Sequence, residues 1–135
     1  MLQGKDLSDY RLDQAVRCLK SAKMLLSDDD FKGAANRSYY CVFHSMRSVL
    51  ALSGIDFKSH AAVISHFRKE YVKTKIFDTK MSDILTVLFR VRNESDYEDF
   101  YLLSKEEVVS QLESAEFFIN EVRRFLSYPK IKTSS

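Results

Sequence analysis

A chain of 135 residues is long enough for one domain with a hydrophobic core that needs neither disulfides nor a metal. Its 3 glycines and 1 proline are too few for the turns of a β-rich fold, so the composition favours helices. A formal net charge of +2 does not by itself indicate nucleic-acid binding, which requires clustered basic residues. We expect a single domain over residues 1–135 with a frayed tail from about residue 128.

Targeting signals and metal motifs are missing from the sequence. No apolar run is long enough to span a bilayer and no secretory leader precedes the first helix, so we expect a cytoplasmic protein without a membrane partner. Cys18 and Cys41 lack the spacing of metal ligands and are expected to be reduced thiols. Three scattered histidines without a carboxylate at ligand spacing argue against a metal, and we expect no cofactor.

Apolar residues spaced three and four apart predict a first helix over residues 8–27 and a second over 31–53. Gly54 is expected to follow the second helix in the left-handed conformation. At about 100° per residue, this helix carries two neighbouring stripes. The first is apolar and is expected to face the core: Ala35, Tyr39, Val42, Phe43, Met46, Val49 and Leu50. The second is a polar row: Asn36, Tyr40, His44 and Arg47.

Three further helices follow in the sequence. After a short loop over 55–58, a third helix is predicted from about residue 59, and a fourth over roughly 79–95. The fifth begins at Ser104, which can form a capping box with Glu107, and a regular apolar series follows it. These seams predict an all-α fold, an antiparallel up-down helical bundle of four to five helices.

Arg92 departs from the pattern of the fourth helix. It lies on the apolar arc, whereas Arg90 points to the opposite, solvent side. An unpaired buried charge is costly, so Arg92 needs a partner, and Asp96 is the nearest candidate at four residues' distance. One interpretation is an ion pair that ties the helix end to the following loop. The other is an arginine held at a cleft or subunit interface to bind phosphate.

The chain resembles the HEPN superfamily, most closely the small single-domain prokaryotic HEPN proteins that are often paired with a minimal nucleotidyltransferase. The resemblance covers nearly the whole chain and rests on Asn36-Arg37-Ser38-Tyr39-Tyr40, Phe43-His44, Gly54, Lys58-Ser59-His60, Arg92 and Asp96-Tyr97. It implies an up-down helical bundle that forms a homodimer with the motif-bearing helices at the interface. Many HEPN proteins are metal-independent endoribonucleases, and several act as toxins.

The HEPN signature is an arginine, usually followed by a polar residue, and then a histidine after four to six residues. Arg92 and Asn93 match its beginning and are the catalytic residues that the resemblance implies. The histidine is missing, because positions 97, 98 and 99 hold Tyr, Glu and Asp. RNA cleavage without a metal needs a proton-transferring group with a pKa near neutrality, which these side chains lack when unperturbed. Phosphate binding by Arg92 needs no proton transfer.

We therefore expect a dimeric HEPN-like protein that binds a nucleotide, RNA or a nucleotidyltransferase partner, as in a toxin–antitoxin-type pair. The alternative is a metal-independent endoribonuclease toxin that uses Arg92 and Asn93 at the dimer interface, with a group outside the motif, such as His44 or His60, transferring protons. A dimeric bundle whose polar rows are satisfied internally is a third interpretation. The residues expected to bind a ligand or line the cleft are Asn36, Tyr40, His44, Arg47, His60, Asp96 and Tyr97.

Tyr101 is a candidate modification site. In related pairs the nucleotidyltransferase adenylylates a tyrosine close after the motif histidine, and Tyr97 and Tyr101 lie in that neighbourhood without matching the family's spacing. The alternative is that these tyrosines pack against the bundle through their rings.

Overall fold

A computed structural model describes residues 4–97 and 101–127, and the side chain of residue 97 is outside that description. Within these residues the chain is all-α, as predicted, with five α-helices and no strand. The helices are α1 (Gly4–Ser27), α2 (Phe31–Ala51), α3 (His60–Phe67), α4 (Lys80–Tyr97) and α5 (Lys105–Phe125). A π-helical turn, Arg68–Val72, continues α3. The expected tail from residue 128 lies outside the described residues.

The helix starts follow from local capping chemistry. A side-chain oxygen of Asp30 accepts a hydrogen bond from the Gly33 amide at 2.8 Å, and Ser59 does the same for Ala62 at 3.0 Å. The Ser104 hydroxyl accepts from the Glu107 amide at 3.1 Å, which confirms the predicted cap of α5. These side chains satisfy amides that have no partner inside their own helix.

Two helix boundaries differ from the sequence prediction for tertiary reasons. Helix α1 begins at Gly4 rather than at residue 8, because its first turn packs on the end of α2, where a Cβ on Gly4 would lie 3.0 Å from the Ala51 carbonyl oxygen. Helix α2 ends at Ala51, two residues early. Gly54 has φ +67°, as predicted, and its amide donates to the Ala51 carbonyl at 3.0 Å.

Helix α2 lies at the centre of the bundle and contacts the other four helices. Its predicted apolar stripe is entirely buried, which confirms the core assignment of that face. A group of aromatic rings packs between the end of α3, the π-helical turn with the segment after it, and α5. Its members are Phe67, Tyr71, Phe77, Phe118 and Phe125.

No helix in the described part of the chain combines the length and the hydropathy that a bilayer span requires. Likewise, the described residues bring no three His, Cys, Asp or Glu side chains together in a cluster that could hold a metal ion. Cys18 and Cys41 are free and buried.

Candidate functional site

Arg92 reaches across from α4 to the polar row of α2. Its Nη2 donates to the Tyr40 hydroxyl at 3.3 Å, and its Nη1 donates to the side-chain oxygen of Asn93 at 3.2 Å. Its Nε lies 3.2 Å from a carboxylate oxygen of Asp96, which confirms the predicted ion pair. The side chain of Arg92 is 24% exposed, so the guanidinium lies at the edge of the core, partly buried and partly open to solvent.

The Arg92–Asp96 contact does not fully satisfy the guanidinium. The buried Nε has no hydrogen-bond acceptor among the described residues, because Asp96 is within ion-pair distance but poorly aligned. Burial lowers the pKa of Arg92, but Tyr40, Tyr39 and Asp96 outweigh it and raise that pKa, so the group stays charged. The fork of Arg92 is therefore fixed in place by neutral oxygens and one partly exposed carboxylate.

The ring of Tyr40 lies beside two guanidinium groups. The Arg37 guanidinium carbon is 5.0 Å from the centre of this ring, and that of Arg92 is 6.0 Å away. Arg37 donates to the side-chain oxygen of Asn36 from Nη2 at 2.6 Å and from Nε at 3.1 Å. Because an amide oxygen carries no net charge, Asn36 orients Arg37 without neutralising it.

His60 brings α3 into the same group of side chains. Its Nδ1 shares a hydrogen bond of 2.7 Å with the Tyr39 hydroxyl, and its ring stacks on Phe43 with centroids 4.0 Å apart. The His60 ring also lies edge-on to Tyr40 at 5.8 Å. Burial, and after it the charges of Arg92 and Arg47, lower the pKa of His60, so its imidazole is neutral at pH 7. We call this group the Arg92 site: Asn36, Arg37, Tyr39, Tyr40, His60, Arg92, Asn93 and Asp96.

The polar row of α2 divides between two neighbourhoods. Tyr40 meets Arg92, whereas Arg47 turns to the loop after α2 and donates to Asp56 from Nη2 at 2.7 Å. Arg11 from α1 donates to the same carboxylate at 3.0 Å and to the Arg47 carbonyl at 3.2 Å. The four predicted residues of the row are thus on one face, but only its first half belongs to the Arg92 site.

His44 lies between these two neighbourhoods and should make stability depend on pH. Burial, and then the charges of Arg47, Arg37 and Arg11, lower the pKa of His44 from 6.5 to about 4. Between those values the unfolded chain binds a proton that the folded chain does not, so stability is lost as the pH falls from 6.5 to 4. The full shift corresponds to about 3 kcal/mol, and solvent screening of the half-buried ring reduces this to about 1–2 kcal/mol.

We expect His44→Gln to remove most of this dependence of the unfolding free energy on pH. The measurement is urea unfolding of both chains at a series of pH values from neutral to acidic. At neutral pH and above, both chains carry an uncharged residue 44, so their unfolding free energies should run parallel there and serve as the control. An equal loss of stability at acidic pH in wild type and variant would contradict the assignment of the pH dependence to His44.

Sequence reasoning missed Arg11, Asp56 and Tyr39 as contributors to this region. Arg11 shares a helical face with three buried small residues, Ala15, Cys18 and Ala22, and is itself buried. That is the same signal as at Arg92, a charged residue on an apolar arc, and it could have been found. Asp56 and Tyr39 gave no such signal, because their partners are distant in sequence.

The remaining candidates lie at the end of α4 and just after it. The side chain of Tyr97 and the whole of positions 98 and 99, where the signature histidine would fall, are outside the described residues. Tyr101 packs against a small apolar cluster (Ala34, Ala35, Val91 and Val108). Burial and a hydrogen bond with Glu94 raise the pKa of Tyr101, so its hydroxyl stays protonated.

Comparison with known proteins identifies the family. The family model described as "HEPN domain" matches residues 8–125. A "UPF0332 protein" of Thermotoga maritima is 27% identical over 126 residues, which are 93% of this chain and 96% of the relative. "Putative toxin MJ0605" of Methanocaldococcus jannaschii is 29% identical over 115 residues, 85% of each chain. A second protein of that organism, "Putative toxin MJ0142", is 25% identical over 115 residues, 85% of this chain and 78% of the relative. Because the family model spans most of its length, this chain belongs to the HEPN family, as its motifs predicted.

Proposed function

We propose that this chain is a toxin-type HEPN protein that acts as a homodimer and binds the phosphates of single-stranded RNA at the Arg92 site without cutting them. Two relatives carry a toxin name, and RNA is the ligand class that the resemblance to HEPN endoribonucleases implies. A free nucleotide has the same phosphate chemistry, and a nucleotidyltransferase partner is compatible with this binding role.

The observation that carries the proposal is the pair of guanidinium groups around Tyr40. Neutral side-chain oxygens of Tyr40, Asn93 and Asn36 orient both guanidinium groups, and only Arg92 also has a carboxylate, that of Asp96, within ion-pair distance among the described residues. A planar guanidinium fork suits bidentate contact with phosphate. The two guanidinium groups lie 5.0 and 6.0 Å from the centre of the same Tyr40 ring, which brings two cations close enough together to contact one RNA backbone.

Cleavage is disfavoured because the signature lacks its histidine. Position 97 is a tyrosine, followed by Glu98 and Asp99, and ordinary phenol or carboxyl groups are poor proton carriers at pH 7. His44 has a pKa of about 4, and its neighbours are arginines that oppose protonation. Phosphate binding depends only on the permanent charge of the arginine side chains, so it does not require the histidine.

The alternative function, a metal-independent endoribonuclease, is favoured by one observation. His60 is within the Arg92 site, its imidazole is neutral at pH 7, and its Nδ1 is held by the Tyr39 hydroxyl at 2.7 Å. With its proton on Nδ1 and donated to the Tyr39 oxygen, this imidazole would have Nε2 free to accept the proton of a ribose 2′-hydroxyl while Arg92 binds the adjacent phosphate. In that case His60, rather than a residue after Arg92, would supply the general base.

The test is RNA binding and cleavage in EDTA by wild type and Arg92→Ala. We expect uncut single-stranded RNA to bind wild type and to bind Arg92→Ala at least about tenfold more weakly, with a shallower dependence on salt. Arg90→Ala is the matched control, since Arg90 is exposed on the same helix and should leave binding unchanged. Circular dichroism checks that each variant is folded.

The outcomes distinguish RNA binding without cleavage from endoribonuclease activity. RNA cut by wild type and spared by both Arg92→Ala and His60→Gln would overturn the binding proposal in favour of the nuclease. Equal binding by Arg92→Ala and Arg90→Ala, or no RNA binding by wild type, would overturn the Arg92 site as an RNA site. A strict monomer in sedimentation would contradict the proposed homodimer.

A further inference from the structure

A second cleft adjoins the Arg92 site at His60. It lies between α2, the loop after it and the start of α3, and has a volume of about 430 Å³. We call it the α3 cleft, and its lining residues are Phe43, Arg47, Asp56, Phe57, Lys58 and His60. A cleft of this size is within the range that holds small organic ligands.

The α3 cleft combines aromatic surface with excess positive charge. Phe57 is 38% exposed although it is a large apolar side chain, and the stacked His60–Phe43 pair forms part of the lining. Lys58 and Arg47 contribute cations at the same place. An exposed aromatic ring beside cations, here Phe57, is a combination that proteins use to bind single-stranded nucleic acids, because bases stack on the ring and phosphates pair with the cations.

The carboxylate in the cleft does not cancel this charge. Oδ2 of Asp56 accepts from Arg11 at 3.0 Å and from Arg47 at 2.7 Å. Its Oδ1 accepts from Arg47 Nε at 3.2 Å and from the Phe57 amide at 2.8 Å. Arg11 and Arg47 thus share one carboxylate. Together with Lys58, these side chains carry more positive than negative charge. The same bonds fix the start of the loop, so the backbone of Phe57 is held in place before any ligand arrives.

The α3 cleft and the Arg92 site share one aromatic edge. His60 lines the cleft, its ring is 5.8 Å from that of Tyr40, and the Tyr40 hydroxyl accepts a hydrogen bond from Arg92. From this continuity we infer that the α3 cleft is a nucleotide subsite: a base stacks on Phe57, and Lys58 and Arg47 bind the adjoining phosphate of an RNA strand whose neighbouring phosphate is held by Arg92. The inference rests on the proposed RNA-binding function and adds the path of the strand, from the Arg92 site into the α3 cleft.

The test uses the full chain and fluorescent oligoadenylates of increasing length, in EDTA. We expect Phe57→Ala and Lys58→Ala each to weaken binding of the longer oligomers about fivefold or more, which is the usual size of one lost stacking or phosphate contact. Binding of the shortest oligomers, which engage only the Arg92 site, should change less. Phe125→Ala and Lys20→Ala are matched controls at an exposed ring and an exposed lysine on other parts of the bundle.

A second readout does not depend on affinity. The sequence contains 7 tyrosines but no tryptophan, so Phe57→Trp introduces a single tryptophan into the α3 cleft, whose emission can be excited apart from that of the tyrosines. Oligoadenylate is expected to quench its emission by stacking, and an additional Arg92→Ala change should move that quenching to higher RNA concentration. If Arg92→Ala weakens RNA binding while Phe57→Ala and Lys58→Ala do not, and the tryptophan is not quenched, the subsite is overturned and the Arg92 site stands. If wild type binds no RNA, both fail together.

Discussion

Replacing Phe67 with alanine is expected to lower the free energy of unfolding by about 3–5 kcal/mol, the usual cost of emptying a buried phenylalanine site. Phe67 is fully buried at 0% exposure. Its ring contacts those of Tyr71, Phe77 and Phe118 at centroid distances of 5.5, 5.4 and 5.6 Å. These partners come from three parts of the chain, so the helices cannot collapse into the cavity without losing other contacts. The loss would be a large fraction of the stability of a small domain.

Urea unfolding followed by circular dichroism measures this effect, with an unchanged denaturant slope as the sign that the folded state is intact. Phe125→Ala is the control, because Phe125 touches the same group of rings but is 41% exposed. We expect the control to lose about 1 kcal/mol, since much of that ring is already in water. Similar losses for the two variants would show that the ring cluster does not act as a core.

Replacing Asp56 with alanine is expected to cost about 2–4 kcal/mol, because it leaves Arg11 without a carboxylate. The Arg11 side chain is only 10% exposed, and an unpaired buried charge is strongly destabilising. The expected loss is below the fully buried limit, since 44% of the Asp56 side chain is in solvent. Removing Asp56 also frees the Arg47 guanidinium and the start of the loop that leads to His60.

The surface ion pair between Asp13 and Arg17 provides the matched control for Asp56. Both of its side chains are more than half exposed, so Asp13→Ala should change the unfolding free energy by less than about 0.5 kcal/mol. Adding Arg11→Met to Asp56→Ala should restore part of the lost stability, because it removes the stranded charge and keeps an apolar stem. An Asp56→Ala variant as stable as Asp13→Ala would contradict the structural role of this carboxylate.

Much of the fold could be predicted from the sequence, because the spacing of apolar residues shows which face of a helix is buried. The apolar stripe of α2 repeats with the period of the helix, and every one of its predicted residues is buried. The caps at Ser104 and Gly54 depend on residues within a few positions of each other, so their chemistry is local. Helix α1 was predicted too short, since its first turn is stabilised by packing on α2 and shows no apolar period of its own.

Patterns within the chain were enough to predict the bundle, the membership in the HEPN family and the Arg92–Asp96 pair, which spans a single turn of α4 and follows from helix geometry. Which residues surround Arg92 depends instead on how the helices pack. Tyr40 is 52 positions from Arg92, His60 is 21 from Tyr39, and Asp56 is 45 from Arg11. Such contacts depend on where the helices cross and where the loop after α2 turns, and no pattern within one helix specifies that. The same packing brings Arg47 into contact with Asp56 rather than with Arg92, and it forms the α3 cleft next to this pair.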